Sequence, residues 1–135
     1  MMKKIEHIGI AVKDIESSNQ LFKALFGEEH YKTESVESEG VLTSFFGCGP
    51  NKIELLQATK PDSPIAKFIE KKGEGIHHIA FAVDDIEAEI NRLKYDGFKM
   101  IHETPKKGAD NKLIAFLHPK STNGVLIELC QDIRD

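Results

Sequence analysis

Two histidines and two glutamates stand in matched company along this chain. His7 lies in IEHIGIAVKDIE, residues 5 to 16, and His78 in IHHIAFAVDDIE, residues 76 to 87. Glu54 lies in IELLQ, residues 53 to 57, and Glu128 in IELCQ, residues 127 to 131. Imidazole nitrogen and carboxylate oxygen both bind divalent first-row metals. Two of each can hold one ion, Zn, Ni, Co, Mn or Fe, and still leave positions for water or substrate. A lone His or Glu in a strand is more often a hydrogen-bonded or edge residue, so the argument rests on all four together.

The matched company is an internal repeat. At a spacing of 71, eight aligned positions are identical: Ile5/Ile76, His7/His78, Ile8/Ile79, Ala11/Ala82, Val12/Val83, Asp14/Asp85, Ile15/Ile86 and Glu16/Glu87. The second pair of segments recurs at a spacing of 74, because the second copy has longer loops. Two matched segments in the same order point to a duplicated structural unit.

The elements that must position the four residues follow from pattern. Residues 5 to 12 read as a β-strand. Asp14 can cap a helix whose apolar residues Leu21, Phe22, Leu25 and Phe26 recur at helical spacing up to Gly27. Strands are predicted at Glu29 to Thr33, Val41 to Phe46 and Lys52 to Gln57. A linker with a short amphipathic helix (Ile65, Ala66, Phe68, Ile69) ends in glycines. The order then repeats: strand Ile76 to Val83, helix from Asp84 or Asp85 to Tyr95 with Gly97 as its stop, and strands near Lys99 to Glu103, Leu113 to His118 and Val125 to Gln131. The expected fold is α+β, two tandem βαβββ modules in one domain over residues 1 to 135. Module 1 covers 1 to 58, the linker 59 to 75 and module 2 76 to 135.

Strand side chains alternate between faces. Ile8, Ile10 and Val12 therefore point one way, and His7 shares the other face with Gly9 and Ala11. Ile79, Phe81 and Val83 likewise oppose His78, Ala80 and Ala82. Small neighbours leave space beside each histidine. In the closing strands, Ile53/Leu55 and Ile127/Leu129 read as core, which sends Glu54 and Glu128 to the opposite face. A carboxylate there is costly unless something charged sits beside it.

Composition narrows the function class. The chain has 135 residues, 40% of them apolar, enough for one domain with a real core. The formal net charge is −4, with 18 Lys and Arg residues scattered among 22 acidic ones, so no basic stripe asks for nucleic acid. No apolar run reaches the length of a membrane span, and the start, MMKKIEHIG, lacks a signal-peptide core; a cytoplasmic location is expected. Cys48 and Cys130 are read as reduced, partly buried thiols without a role.

The chain resembles the vicinal-oxygen-chelate, or glyoxalase and dioxygenase, superfamily over its whole length. Within it HIGIAVKDI, DSPIAKFI, GIHHIAFAVDDI and HPKSTNGVLIELCQ are most similar to the methylmalonyl-CoA epimerase family. Glyoxalase I, the lactoylglutathione lyase, is next, sharing the His, Glu, His, Glu set. The resemblance implies that the modules curl their sheet into a cup around one divalent metal ion held by His7, Glu54, His78 and Glu128. It also implies a homodimer and a small-molecule substrate, an acyl-CoA or a thiol hemithioacetal. Two positions depart from the epimerase pattern. Some epimerases carry a proton-transfer glutamate where this chain has Thr43, and glutamine where it has Glu54.

Both reactions begin by removing a proton next to a carbonyl, a step that a Lewis acid assists by stabilising the enolate. Epimerisation needs a proton acceptor on one side of the carbon and a donor on the other, and Glu128 and Glu54 are the candidates for catalysis. Lys106, Lys107, Lys112 and Lys120 could meet coenzyme A phosphates, although a solvated loop is the plainer reading. His77 is assigned to packing or a supporting hydrogen bond, His118 could line the cup, and His30 and His102 are assigned to the surface. Phe45, Phe46, Phe81 and Phe116 are read as core. Extradiol dioxygenases, with two His and one Glu, and metal-free drug-binding members fit the four-residue set poorly.

Overall fold

β-Branched residues and well-placed caps set the first two elements. Strand β1 spans Met2–Ala11. Helix α1, Ile15–Phe26, starts at Asp14, whose carboxylate accepts a hydrogen bond from Ser17 N at 3.0 Å. It stops at Gly27, where φ of 76° enters the left-handed region that glycine adopts without a Cβ clash. Next come β2 (Lys32–Val36), β3 (Val41–Cys48), β4 (Asn51–Ala58) and helix α2 (Pro64–Lys72), capped by Ser63. The second βαβββ run is β5 (Gly75–Val83), α3 (Ile86–Tyr95), β6 (Lys106–Lys107), β7 (Lys112–Leu117) and β8 (Ile127–Asp132). The computed structural model describes residues 1 to 133.

Two units emerge from the fold. One comprises His7–His77; the other comprises Met1–Glu6 and the chain from His78 onward. In the first, the strands lie in the order β2-β3-β4-β1, with β1 parallel to β4 and the other neighbours antiparallel. In the second the order is β5-β8-β7-β6, with β5 parallel to β8 and the rest antiparallel. The duplication read from sequence is thus a duplication of topology.

Each sheet has a helix over its bulky face. In the first unit Val12, Phe46 and Leu55 pack with Ile10, Ile53 and Phe22 of α1. Leu21 and Leu25 of α1, part of its apolar spacing, stay 66% and 68% exposed, so only one edge of the expected stripe is buried. In the second unit Ile86, Ile90 and Leu93 of α3 close over Val83, Ala115, Leu117 and Leu129. Burying each such side chain contributes about 1.5–3 kcal/mol. On the opposite face of the first sheet, Ile65 of α2 covers Ala11, Val41 and Leu56.

Two predicted strands are corrected. β2 lies three residues beyond the predicted Glu29 to Thr33, and its inward positions are Lys32, Glu34 and Val36, an edge-strand pattern without apolar alternation. Lys99 to Glu103 forms no strand. It runs beside β7, with Ile101 N donating to Phe116 O at 2.8 Å and His118 N to Lys99 O at 2.8 Å. Phe116 N, however, donates to His102 Nδ1 at 3.1 Å, so a side chain interrupts the ladder and a single Met100/Leu117 bridge remains. Cys48 is exposed and Cys130 is buried, its Sγ donating to Phe81 O at 3.5 Å. Among the described residues, no helix is long and apolar enough to cross a membrane.

Candidate metal and proton-transfer site

Register decides which side chains meet. In the first unit His7 stands opposite Lys52, Gly9 opposite Glu54 and Ala11 opposite Leu56. Across β4 and β3, Glu54 faces Phe45 and Leu56 faces Thr43; across β3 and β2, Phe45 faces Lys32 and Thr43 faces Glu34. Directly opposed residues share a face. One face therefore carries a row of Lys32, Phe45, Glu54 and Gly9, a second row of Glu34, Thr43, Leu56 and Ala11, and His7 two residues before Gly9. Gly9 contributes no side chain beside Glu54, and His7 Nδ1 comes within 3.1 Å of Glu54 Oε2.

The second unit repeats the layout. Ala80 stands opposite Glu128, which faces Phe116, and Ala82 stands opposite Cys130, which faces Ile114. His78 Nε2 lies 2.9 Å from Glu128 Oε1. The Phe116 ring meets His78 edge-on, with centroids 5.4 Å apart, and holds the imidazole plane. His7, Glu54, His78 and Glu128 are each only 5% exposed. Each unit thus buries one imidazole against one carboxylate, an arrangement that is expensive without further charge or hydrogen-bond compensation.

Each Glu strand is tied by a glutamine to the start of the helix that follows its His strand. Gln57 Oε1, three residues after Glu54, accepts from Ile15 N at 2.6 Å. Gln131 Oε1, three residues after Glu128, accepts from Ile86 N at 2.7 Å. Those amides open α1 and α3, the helices that follow the two histidine strands, and lack intrahelical acceptors of their own. Sequence reasoning assigns neither glutamine a role, although both copies of the repeat retain one.

Other predicted residues fall outside the pairs. His118 Nδ1 accepts from Lys120 N at 3.1 Å and caps a turn at Pro119–Ser121. His77 meets Phe68 edge-on at 5.0 Å, the packing role expected of it. His30 and His102 are half-buried, not surface residues: His30 stacks near Phe46 at 5.9 Å, and His102 takes the Phe116 amide. Lys106 and Lys107 of β6 pair with β7, which starts at Lys112, whereas Lys120 belongs to the turn after His118.

Comparison with known proteins places this geometry. Residues 6–116 match the family model of the glyoxalase/bleomycin resistance protein/dioxygenase superfamily. The chain belongs to that superfamily. It is 40% identical over 133 residues to the ethylmalonyl-CoA/methylmalonyl-CoA epimerase of Cereibacter sphaeroides, covering 97% of this superfamily member and 99% of the relative. It is 42% identical over 127 residues to the mitochondrial methylmalonyl-CoA epimerase of Dictyostelium discoideum, covering 93% and 76% of the two chains. A variant of the Streptomyces coelicolor methylmalonyl-CoA epimerase in complex with 2-nitronate-propionyl-CoA superposes with a TM-score of 0.94 at 34% identity, over 98% of this chain and 96% of the other. The expected superfamily fold is therefore borne out, and its epimerase branch supplies close relatives.

Proposed function

We propose that this protein is a metal-dependent epimerase that interconverts the 2R and 2S forms of methylmalonyl-CoA through an enolate, as a single domain over residues 1 to 135. The observation that carries the reading is the twin burial of His7 against Glu54 and His78 against Glu128, in a chain 40% identical to an epimerase named for that substrate. The donor set fits one divalent first-row ion, since two imidazoles and two carboxylates supply nitrogen and oxygen ligands with positions to spare. His7, Glu54, His78 and Glu128 would hold it. When bound, it would supply Lewis-acid stabilisation of charge on the substrate's carbonyl oxygens.

The residues' own work is proton transfer. Glu128 exchanges the proton at C2, with Glu54 as its counterpart, each loosening from its histidine as substrate enters. Phe116, edge-on to His78, keeps that imidazole oriented. We also assign the protein to the cytoplasm and to a homodimer, as its superfamily membership suggests.

A second reading, lactoylglutathione lyase activity, is favoured by two positions: Glu54, where some epimerases have glutamine, and Thr43, where some have a proton-transfer glutamate. One experiment separates them. The purified protein is loaded with metal and incubated in deuterium oxide with methylmalonyl-CoA, and in parallel with the glutathione hemithioacetal of methylglyoxal. Deuterium entering C2 without lactoylglutathione formation supports the epimerase. Lactoylglutathione formation with no exchange at C2 would overturn it.

A further inference from the structure

Helix α2 carries more positive charge than its packing uses. Ile65 packs with Ala11, Val41 and Leu56, and Phe68 and Ile69 lie against that cluster, which is what holds the helix to the sheet. Lys67, Lys71 and Lys72 are exposed and take no part in it. Lys71 and Lys72 lie in the last turn, where a cation complements the helix C-terminus. Lys67 lies a turn earlier, beyond the reach of that field.

These lysines also differ from others in the chain. Lys3 faces Asp84, Lys23 faces Glu29, Lys32 faces Glu34, Lys94 faces Glu103 and Lys112 faces Asp132. Among the described residues, Lys67, Lys71 and Lys72 have no ion-pair partner, not even Glu70, the one acid of α2. Three uncompensated cations on a helix of nine residues stand out in a chain of net charge −4.

Helical spacing puts Pro64, Lys67, Phe68 and Lys71 on one face. With Lys72 and His77 they line an open groove of about 330 Å³, which Glu70 also borders. The groove is aromatic as well as cationic. Phe68 meets His77 edge-on at 5.0 Å, and Lys72 Nζ stands 5.8 Å from the centre of the Phe68 ring. Its volume, at the low end for small-molecule sites, suits one end of a long ligand better than the whole of it.

The groove lies within the unit His7–His77, which also holds the pair of His7 and Glu54. Ala11, on which α2 rests, shares a sheet face with His7 and lies four residues further along β1, about 13 Å away. The thickness of the helix adds about 10 Å. A ligand that reaches both places is long, with phosphate-like charge and a flat ring at one end and the reacting group at the other. An acyl-CoA has this form, its pantetheine arm separating the thioester from a pyrophosphate, a 3′-phosphate and adenine. Among the described residues the second unit has no counterpart of α2, so the duplicated fold supplies one such end per chain.

We propose that the α2 groove is the subsite for the phosphorylated adenosine end of an acyl-CoA, Lys67 and Lys71 binding its phosphates and Phe68 with His77 receiving the adenine ring; this rests on the acyl-CoA substrate of the epimerase reading. The ammonium groups act as point charges on phosphate, and the rings offer the flat apolar contact on which a base stacks.

The test compares wild type with Lys67→Ala/Lys71→Ala, a pair that keeps helix propensity, with Lys67→Arg/Lys71→Arg, and with Lys13→Ala/Lys99→Ala, which removes the same charge elsewhere. Calorimetry measures binding of coenzyme A at low and high salt, and epimerisation is followed with methylmalonyl-CoA and with methylmalonyl-pantetheine, which lacks the nucleotide. The alanine pair in α2 should weaken coenzyme A binding by about tenfold or more at low salt and less at high salt. It should raise KM for methylmalonyl-CoA in parallel without lowering kcat, and treat methylmalonyl-pantetheine as wild type does. The arginine pair and the distant pair should bind coenzyme A like wild type.

The subsite is overturned if wild type does not bind coenzyme A, or if the α2 alanine pair binds it within about twofold of wild type. An equal loss with methylmalonyl-pantetheine, or in the distant pair, overturns it too. Loss of binding to phosphatidylglycerol vesicles with coenzyme A affinity intact would make the groove a membrane contact instead. A wild-type protein that binds coenzyme A through these lysines yet leaves both epimers of methylmalonyl-CoA untouched overturns the epimerase reading and keeps the subsite. One that epimerises while the α2 alanine pair binds coenzyme A normally does the reverse.

Discussion

At the residue scale, four donors divide into two pairs, and each pair fails when one member is removed. His7→Ala leaves Glu54 buried without its imidazole, and Glu128→Ala leaves His78 without its carboxylate. Either variant should purify with less metal than wild type, since it removes one of the four donors and breaks one His–Glu pair; elemental analysis of dialysed protein reads this directly. Away from the site, Glu89 is 2% exposed and takes a hydrogen bond from Arg92 Nε at 2.6 Å. That bond holds its carboxyl below the usual carboxylate range, against the opposing effect of burial. A carboxyl with a depressed folded value stabilises the fold above its unfolded value of about 4.3 and loses that contribution as pH falls through the folded one. Glu89→Gln should therefore cost about 1 kcal/mol at neutral pH, a figure kept small by the 43% exposure of Arg92. Thermal melts should show the gap to wild type narrowing as pH drops below about 4.

At the element scale the two glutamine straps make the sharpest prediction. Gln57→Leu removes the acceptor of Ile15 N, and Gln131→Leu that of Ile86 N. Each should cost about 1 kcal/mol, and hydrogen exchange should speed up at the amide of the affected helix while the other helix keeps wild-type protection. Ile90→Ala, which hollows the contact between α3 and its sheet, should cost about 2–5 kcal/mol in denaturant titrations. Elements whose signals were local were legible in advance. β1 alternates, α1 and α3 begin at Asp14 and Asp85, and Gly27 ends α1 in the left-handed region. Elements decided by tertiary partners were not. β2 alternates half-buried Lys32, Glu34 and Val36 with exposed residues, so no apolar rhythm announced it. The stretch from Lys99 to Glu103 had strand-like composition, but its ladder is broken by the His102 side chain, an event that no propensity encodes.

At the scale of the whole molecule, duplication made the site readable. One histidine in one strand carries little information; the same histidine in the same strand position of two βαβββ units carries much more, and the pairing of each with a glutamate followed from alternation alone. What duplication obscured was divergence between the copies. Glu34 and Lys106 end equivalent rows with opposite charge, and only the register of β2 and β6 reveals that they correspond. Among the described residues α2 has no counterpart in the second unit, and its Ile65 packs on Ala11, Val41 and Leu56.

The two thiols lend themselves to a further use. Cys48 is exposed where β3 and β4 meet, opposite Asn51, while Cys130 is 1% exposed. A maleimide dye under native conditions should therefore attach once per polypeptide, at the hairpin tip, without mutagenesis. Mixing donor-labelled with acceptor-labelled protein would then report energy transfer if chains associate and exchange, so the native molecule already carries a handle for counting its own subunits.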